Sequence, residues 1–266
     1  MTSPFEPLPR IGQGTWQIED DDRASMVAAL RAGVDAGLTH IDTAELYGGG
    51  YAEEVIKEAL GDRREELFLV SKVLPSNASR RGTLAACESS LRRLGTDRLD
   101  CYLLHWPGSH PLEETFAAFE ELRAAGKIRS WGVSNFDEEL LREAARIAGA
   151  GRIACNQVLY NLGERHIEAS LVPACSGLGV AVVGYSPFAG FKESAALRAV
   201  AGELGATTRQ VALAFLLRSA LQIPKASRVE HVRDNAGALA IQLSTDQIAR
   251  IEQAYPLKVR RQLPTA

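Results

Sequence analysis

Short runs of apolar residues recur eight times along the chain, and an amphipathic stretch follows nearly every one. Most runs are almost continuous, as in Leu67-Phe68-Leu69-Val70 and Val180-Ala181-Val182-Val183. Such runs are typical of strands that are buried on both faces, which favours a parallel sheet. The predicted strands are residues 10–15, 38–43, 67–73, 99–105, 128–134, 152–158, 179–186 and 221–225.

The stretches between the strands have the spacing of amphipathic helices. One apolar stripe is formed by Leu112, Phe116, Phe119 and Leu122. Capping boxes predict three helix starts, at Thr207-Thr208-Arg209-Gln210, Ser227-Arg228-Val229-Glu230 and Ser244-Thr245-Asp246-Gln247. Four glycines are predicted to end helices, namely Gly37, Gly61, Gly95 and Gly126.

The alternation of strands and helices predicts the fold class. No linker or repeat divides the 266 residues. Eight strand–helix units in one α/β domain of this size predict a (β/α)8 TIM barrel that spans residues 1–266. A doubly wound sheet is the alternative. Its usual phosphate-binding motif fails here, because Gly12-Gln-Gly14-Thr-Trp-Gln17 lacks the third glycine.

Composition excludes several classes of partner. The net charge is −3, which gives no field for holding nucleic acid or an anionic membrane. No apolar run approaches the ~18 residues of a membrane span, and the N-terminus lacks the features of a signal peptide. The four cysteines lack the paired spacing of a zinc site. We therefore expect a reduced, cytoplasmic protein without a metal; its assembly is not readable, and a monomer is favoured.

Polar residues stand at the end of every predicted strand. In a barrel, the carboxyl ends of the strands form the active site. These ends carry Thr15-Trp16, Asp42, Lys72, His105, Ser134-Asn135, Gln157, Tyr185-Ser186 and Lys225. Polar residues at the ends of all eight strands, on the same open end of a barrel, are not explained by solubility alone.

Lys72, Asp42 and Tyr47 form a candidate catalytic group. Lys72 follows an apolar run, so its ammonium is expected to be buried and to need Asp42 as a partner. The alternative is an ion pair that only stabilises the barrel. Tyr47 lies in a glycine-rich loop; beside an ammonium its pKa is expected to be lowered, which suits a general acid. His105 could orient a substrate oxygen or share the proton transfer, or it could be structural.

An ordered series of motifs resembles the aldo-keto reductase family. The motifs are Gly12-Gln-Gly14-Thr15-Trp16, Asp42-Thr-Ala-Glu-Leu-Tyr47-Gly48, Val70-Ser71-Lys72, Leu104-His105-Trp106-Pro107, Gly132-Val-Ser134-Asn135-Phe136, Asn156-Gln157-Val158, Tyr185-Ser186-Pro187-Phe188 and Ile223-Pro224-Lys225. They run from residue 12 to about residue 235. The resemblance implies an NADPH-dependent reductase of small aldehydes or ketones. Tyr47 would be the proton donor, Asp42 and Lys72 would tune it, and His105 would orient the carbonyl.

The resemblance also implies the binding residues. Those for the dinucleotide would be Thr15, Trp16, Asp42, Ser134, Asn135, Gln157, Tyr185, Ser186, Phe188, Lys225, Ser227, Arg228 and Asn235. Among them, Ser134, Asn135 and Gln157 would hold the carboxamide, and Tyr185 would stack on the nicotinamide. The substrate pocket would be formed by Trp16, Tyr47, His105 and Trp106.

The segment after Lys225 bears on the choice of cofactor. A helix starting at Ser227 would present free N–H groups, with Lys225 and Arg228 beside them, to a 2′-phosphate. This predicts that NADPH binds about ten- to a hundredfold tighter than NADH. Asn235 could bind adenine.

The chain departs from the family pattern at several places. We expect the N-terminal hairpin to be short or missing, the loop after Phe188 to be short, and the C-terminal substrate loop to be a stub. Ala226 stands where the family has a small hydroxyl.

Two other functions remain open. A sensor or regulatory subunit would bind the dinucleotide without turnover, although it would not need the full Asp42, Tyr47, Lys72 and His105 set. A metal-dependent barrel hydrolase would use His105, His110 and Asp42, but no His-x-His pair ends a strand.

Overall fold

Eight parallel strands form a closed barrel in the computed structural model, which describes residues 4–258 and residue 263. The strands are β1 (Gln13–Gly14), β2 (His40–Asp42), β3 (Phe68–Val73), β4 (Leu99–Leu104), β5 (Ile128–Ser134), β6 (Ile153–Leu159), β7 (Ala181–Tyr185) and β8 (Leu221–Gln222). Each strand pairs with the next. The barrel closes where the Gly12 amide donates to the Gln222 carbonyl at 2.8 Å and the Gln222 amide to Arg10 at 2.9 Å. The predicted barrel is confirmed.

Helices surround the barrel. In the described ranges they are α1 (Arg23–Asp35), α2 (Tyr51–Leu60), α3 (Arg80–Leu94), α4 (Leu112–Ala124), α5 (Glu138–Ala148), α6 (Leu171–Leu178), α7 (Ala195–Leu204), α8 (Thr208–Leu216), α9 (Val229–Gly237) and α10 (Thr245–Ala254). Two helices follow β7 and two follow β8, whereas the other strands are each followed by one. Among the described residues, no helix has the length and apolar character to cross a membrane.

The helix boundaries confirm most of the predicted caps and correct one of them. Full capping boxes start α8 at Thr207 and α10 at Ser244. The box predicted at Ser227 is wrong, because Arg228 is the N-cap of α9 and no side chain caps it. Gly61 is the C-cap of α2 as predicted, although its φ is −60° rather than left-handed and a 3₁₀ turn follows directly.

Aromatic rings close the amino-terminal end of the barrel. Phe5 is buried, and its ring lies 4.9 Å from Phe68 and 5.6 Å from His40. Residues 4–7 form turns, and no strand precedes β1 in the described segment. All four cysteines are buried free thiols. Because these aromatic rings close the amino-terminal end, the opposite, carboxyl-terminal end is the open face of the barrel.

Candidate active site

A cavity of about 680 Å³ opens at the carboxyl ends of the strands. It is lined by Gly14, Thr15, Trp16, Gln17, Asp42, Leu46, Tyr47, His105, Trp106, Pro107, Ser134, Asn135, Gln157, Tyr185, Ser186, Pro187, Phe188, Ala189, Arg209, Ile223 and Lys225. Thirteen of these are predicted site residues: Thr15, Trp16, Asp42, Tyr47, His105, Trp106, Ser134, Asn135, Gln157, Tyr185, Ser186, Phe188 and Lys225. Lys72 lies buried beneath this surface.

Lys72 lies at the centre of a buried cluster of polar groups. Its ammonium donates to Asp42 Oδ1 at 2.6 Å, to the Thr43 carbonyl at 2.9 Å and to the Tyr47 hydroxyl at 3.1 Å. Burial disfavours the ammonium, but these partners outweigh it and raise the pKa of Lys72. The other Asp42 oxygen accepts from Gln157 Nε2 at 2.7 Å. A charged, fully satisfied Lys72 therefore holds the phenol oxygen of Tyr47.

The environment of Tyr47 corrects one expectation. Burial raises the pKa of the phenol, and the Lys72 ammonium only partly offsets this effect. The prediction of a lowered pKa is therefore wrong in direction, because it counted the charge but not the loss of solvent. The phenol stays protonated through the neutral range. Since Lys72 donates to its oxygen, its own O–H proton is available to another acceptor.

His105 lies beside Tyr47, with their ring centroids 5.7 Å apart. Burial, with a contribution from Lys72, lowers the pKa of the imidazole to about 2. The ring is therefore neutral at physiological pH, and its Nδ1 has no hydrogen-bond partner among the described residues. A neutral imidazole can orient an oxygen through a hydrogen bond, but it carries no acidic proton to give away.

Amide and hydroxyl groups from β5, β6 and β7 form a connected wall. Asn135 Nδ2 donates to the His105 carbonyl at 3.0 Å, and Asn135 Oδ1 accepts from the Tyr185 hydroxyl at 2.9 Å. The Ser134 hydroxyl donates to the Gln157 carbonyl at 2.8 Å. These bonds fix the orientation of Asn135 and Tyr185. Asn135 Nδ2 also donates to the Ser134 hydroxyl at 3.2 Å, so the wall presents oriented amide groups, which can both donate and accept hydrogen bonds, to the cavity.

Among the described residues, three other than glycine have left-handed backbones, and all three line the cavity. They are Gln17, Asn135 and Ser186, with φ values of 57°, 63° and 52°. Such conformations cost about 1–3 kcal/mol each and persist where the surrounding structure imposes them. They follow β1, β5 and β7, so the chain turns sharply where it presents these residues to the cavity.

The segment after β8 is only partly brought to the cavity. Lys225 lines it, donates to the Gln17 carbonyl at 2.9 Å and forms an ion pair with Asp21. Ser227 and Arg228 follow outside the lining residues, and Arg228 pairs with Glu230 at 3.1 Å. Asn235 is buried beside a separate small cleft lined by Gly12, Gln13, Gly14, Leu30, Leu38, Pro224, Ala226 and Val232.

Aromatic rings flank the cavity mouth. Trp16 packs edge-to-face on Tyr47, at 5.5 Å between ring centroids, and is 42% exposed. Trp106 lies 4.7 Å from His105 and is 36% exposed. The four predicted pocket residues thus lie together.

Sequence reasoning missed Arg209, whose guanidinium lies 4.5 Å from the Phe188 ring centroid at the cavity wall. The capping box predicted a helix start there, but the sequence carried no signal that this helix would face the cavity. It also missed Gln17 and Leu46, which lie on the loops after β1 and β2.

The described residues contain no group of three or more His, Cys, Asp or Glu side chains that could hold a metal ion. Within the described part of the chain, the proposed His105, His110 and Asp42 metal site is therefore not formed.

Residues 10–256 match the Aldo/keto reductase family. The chain belongs to this family. This aldo-keto reductase is 47% identical over 260 residues to methylglyoxal reductase YeaE of Escherichia coli K12, covering 94% of this chain and 92% of that one. It is 33% identical to glyoxal reductase of Bacillus subtilis, covering 92% and 88% of the two chains.

Solved structures of aldo-keto reductases are also similar to this chain. A Klebsiella pneumoniae aldo/keto reductase, crystallised with NADP and acetate, is 45% identical and superposes with a TM-score of 0.93, covering 97% of this chain and 96% of the other. The thermostable reductase Tm1743, crystallised with epalrestat, is 42% identical with a TM-score of 0.87, covering 92% and 95%.

Proposed function

We propose that this aldo-keto reductase uses NADPH to reduce the carbonyl group of small aldehydes and ketones, with Tyr47 as the general acid. The contact from Lys72 to the phenol oxygen, 3.1 Å long and buried at the cavity floor, carries this proposal. An ammonium in this position leaves the phenolic proton available and stabilises the phenolate that remains after transfer. The relatives named as reductases support the reaction class.

The wall residues fit a nicotinamide dinucleotide. Ser134, Asn135 and Gln157 offer a preoriented set of donors and acceptors that suits a carboxamide. Tyr185 has its hydroxyl anchored, so its ring can serve as a stacking platform. We assign Thr15, Trp16, Asp42, Ser186, Phe188 and Lys225 to the same site, and Ser227, Arg228 and Asn235 to its adenosine end. When bound, the cofactor supplies the hydride.

His105 and Tyr47 have different roles at the carbonyl oxygen of the substrate. His105 is neutral and donates one hydrogen bond that orients this oxygen, while Tyr47 delivers the proton to it. Lys72 then faces the phenolate, and Asp42 keeps Lys72 charged and in place. Trp16 and Trp106 restrict water at the mouth.

The substrate class is small aldehydes, with 2-oxoaldehydes first among them. Trp16, Trp106 and Leu46 give the cavity an apolar rim, which suits a short carbon chain next to the reacting carbonyl. The names of two relatives, a methylglyoxal reductase and a glyoxal reductase, support this choice.

Loss of NADPH absorbance at 340 nm tests the proposal directly. The purified protein is given NADPH with methylglyoxal, glyoxal and a panel of aromatic aldehydes, with and without a chelator. We expect turnover that the chelator leaves unchanged. Binding of NADPH without turnover of any carbonyl would favour the sensor, and absence of binding would overturn both functions.

A further inference from the structure

Arg209 is a cation on the wall of the cavity to which the proposed reaction gives no part. It lies on α8 and lines the cavity at the open end of the barrel, together with residues of the loop after β7 and of the segment after β8. Its guanidinium lies 4.5 Å from the Phe188 ring centroid. The Phe188 ring also packs edge-to-face with Phe191, with the ring centroids 5.9 Å apart. Phe188 thus contacts both an aromatic ring and a cation.

The charge of Arg209 is uncompensated. Among residues 4–258, no carboxylate lies in an ion pair with it, whereas the other cation of the lining, Lys225, pairs with Asp21. The nearby carboxylate of Glu193 accepts from the Thr208 hydroxyl at 2.5 Å instead. A planar guanidinium presents several N–H donors in a fixed geometry that suits two oxygens of a phosphate, and the Phe188 ring beneath it leaves those donors unpaired by carboxylates.

We propose that Arg209, backed by Phe188, binds the diphosphate of the dinucleotide. The inference rests on the proposed function, because it takes the cofactor to be NADPH. The carboxamide contacts assigned above lie on β5 and β6, and the adenosine contacts lie after β8. The diphosphate joins these two halves, so it crosses the gap between the ends of β7 and β8.

Arg209 and Phe188 border that gap. The short loop after Phe188 supplies no long segment to cover a ligand, and residues 186–194 reach α7 directly. Arg209 instead contributes a cation to the same part of the lining from a different element, the helix α8.

NADPH and NADH differ only in the 2′-phosphate, so comparing their binding distinguishes a contact with the diphosphate from a contact with the 2′-phosphate. Dissociation constants for NADPH and NADH are measured by fluorescence titration for the unmutated protein, Arg209→Met and Arg209→Lys. Loss of one charge-assisted contact predicts about ten- to a hundredfold weaker binding. Because both cofactors carry the diphosphate, we expect Arg209→Met to weaken both by the same factor. Arg209→Lys should fall between, since it keeps the charge without the planar set of N–H donors.

Arg218→Met is the matched control. Arg218 also stacks on a ring, 4.8 Å from the Phe215 centroid, but it does not line the cavity. It should leave both constants unchanged. If Arg209→Met weakened the binding of NADPH alone, the proposal would be overturned in favour of a contact with the 2′-phosphate. If both dissociation constants stayed unchanged while the KM for carboxylated aldehydes rose, it would be overturned in favour of a contact with the substrate. If the unmutated protein bound neither cofactor, the proposed function itself would fail.

Discussion

Burial acts on Tyr47 and His105 in the same physical way, with opposite chemical results. Loss of solvent favours the neutral form of each side chain, so it raises the pKa of the phenol and lowers that of the imidazole. A neutral phenol still has its proton, whereas a neutral imidazole has already lost the one that could be transferred. In the proposed function, the same cavity therefore suits Tyr47 as the acid and His105 as a hydrogen-bond donor.

Replacing Tyr47 tests this division. Tyr47→Phe keeps the ring between Trp16 and His105 but removes the proton donor. General acid catalysis contributes about 10²- to 10⁴-fold, so we expect kcat to fall by that factor. The dissociation constant of NADPH should change little. Tyr102→Phe, which alters a buried tyrosine on β4 that does not line the cavity, should keep full activity. Near-normal turnover by Tyr47→Phe would move the acid role to another group.

Removing the ammonium tests the origin of the Tyr47 pKa. In Lys72→Met nothing opposes the effect of burial, so the alkaline limb of the pH–rate profile should move to higher pH. We expect kcat to fall roughly a hundredfold, as when one oxyanion donor is lost. An unchanged alkaline limb would make Lys72 structural only.

The same substitution strands Asp42 in a buried site. Removing one partner of a buried pair costs about 3–5 kcal/mol, which urea unfolding would measure. The double change Lys72→Met with Asp42→Asn should recover part of this stability, because no charge is stranded, but it should not recover kcat. This contrast separates folding from catalysis.

At the scale of elements, the loop that carries Tyr47 depends on a buried network. Gly48, Gly49 and Gly50 all have positive φ before α2 begins. Behind Gly50, Arg93 donates to the fully buried Glu53 at 2.6 Å.

The network reaches the residue next to Lys72, because the Ser71 hydroxyl donates to the other Glu53 oxygen at 2.7 Å. It thus links α2 and α3 to β3. We infer that it positions Tyr47 relative to Lys72.

Two neighbouring glycines give a matched test of this inference. A Cβ at Gly50 would lie 2.4 Å from Arg93 Nε, whereas one at Gly49 would have no atom within 4 Å. Both substitutions by alanine strain a left-handed residue, at about 1–2 kcal/mol. We expect only Gly50→Ala to lower kcat as well, by about ten- to a hundredfold, because it displaces Arg93. Equal activities for the two variants, compared at equal folded fraction, would contradict the positioning role.

The accuracy of the predicted strand and helix boundaries depended on the residues at which each element ends. The central strands β3 to β6 match their predicted ranges closely, because each is a buried run between a helix end and a loop. By contrast, β1 and β8 have only two residues each, since the seam between them includes Pro224, which has no N–H for the ladder. The cap at Ser227 failed because the chain remains extended through Arg228.

The candidate site was predictable for a related reason. Most of its residues end recognisable strands, so a barrel brings them together without further information. Arg209 was not predictable, because its place depends on how an additional helix packs beside the loop after β7. The pKa of Tyr47 was not predictable either, because burial and charge act in opposite directions and only the structure weighs them.

For the whole molecule, both ends of the barrel enclose a buried neutral histidine. His40 is buried between Phe5 and Phe68 at the closed end, with both ring nitrogens unpaired among the described residues. Burial lowers its pKa to about 4, and that of His105 at the open end to about 2. In the unfolded chain each would titrate near the ordinary value of about 6.5.

This difference links stability to pH with a definite sign. Below pH 6.5 the unfolded chain binds protons that the folded barrel excludes, so the free energy of unfolding falls as the pH drops. One such histidine gives a slope of about 1.4 kcal/mol per pH unit, and two give about 2.8 between pH 6 and 4.5. Urea unfolding at a series of pH values measures it. We expect His40→Leu to halve the slope, whereas Phe68→Leu, which disturbs the same packing without removing a titrating group, should lower stability and keep the slope. A full slope in His40→Leu would mean that His40 is protonated within the folded barrel.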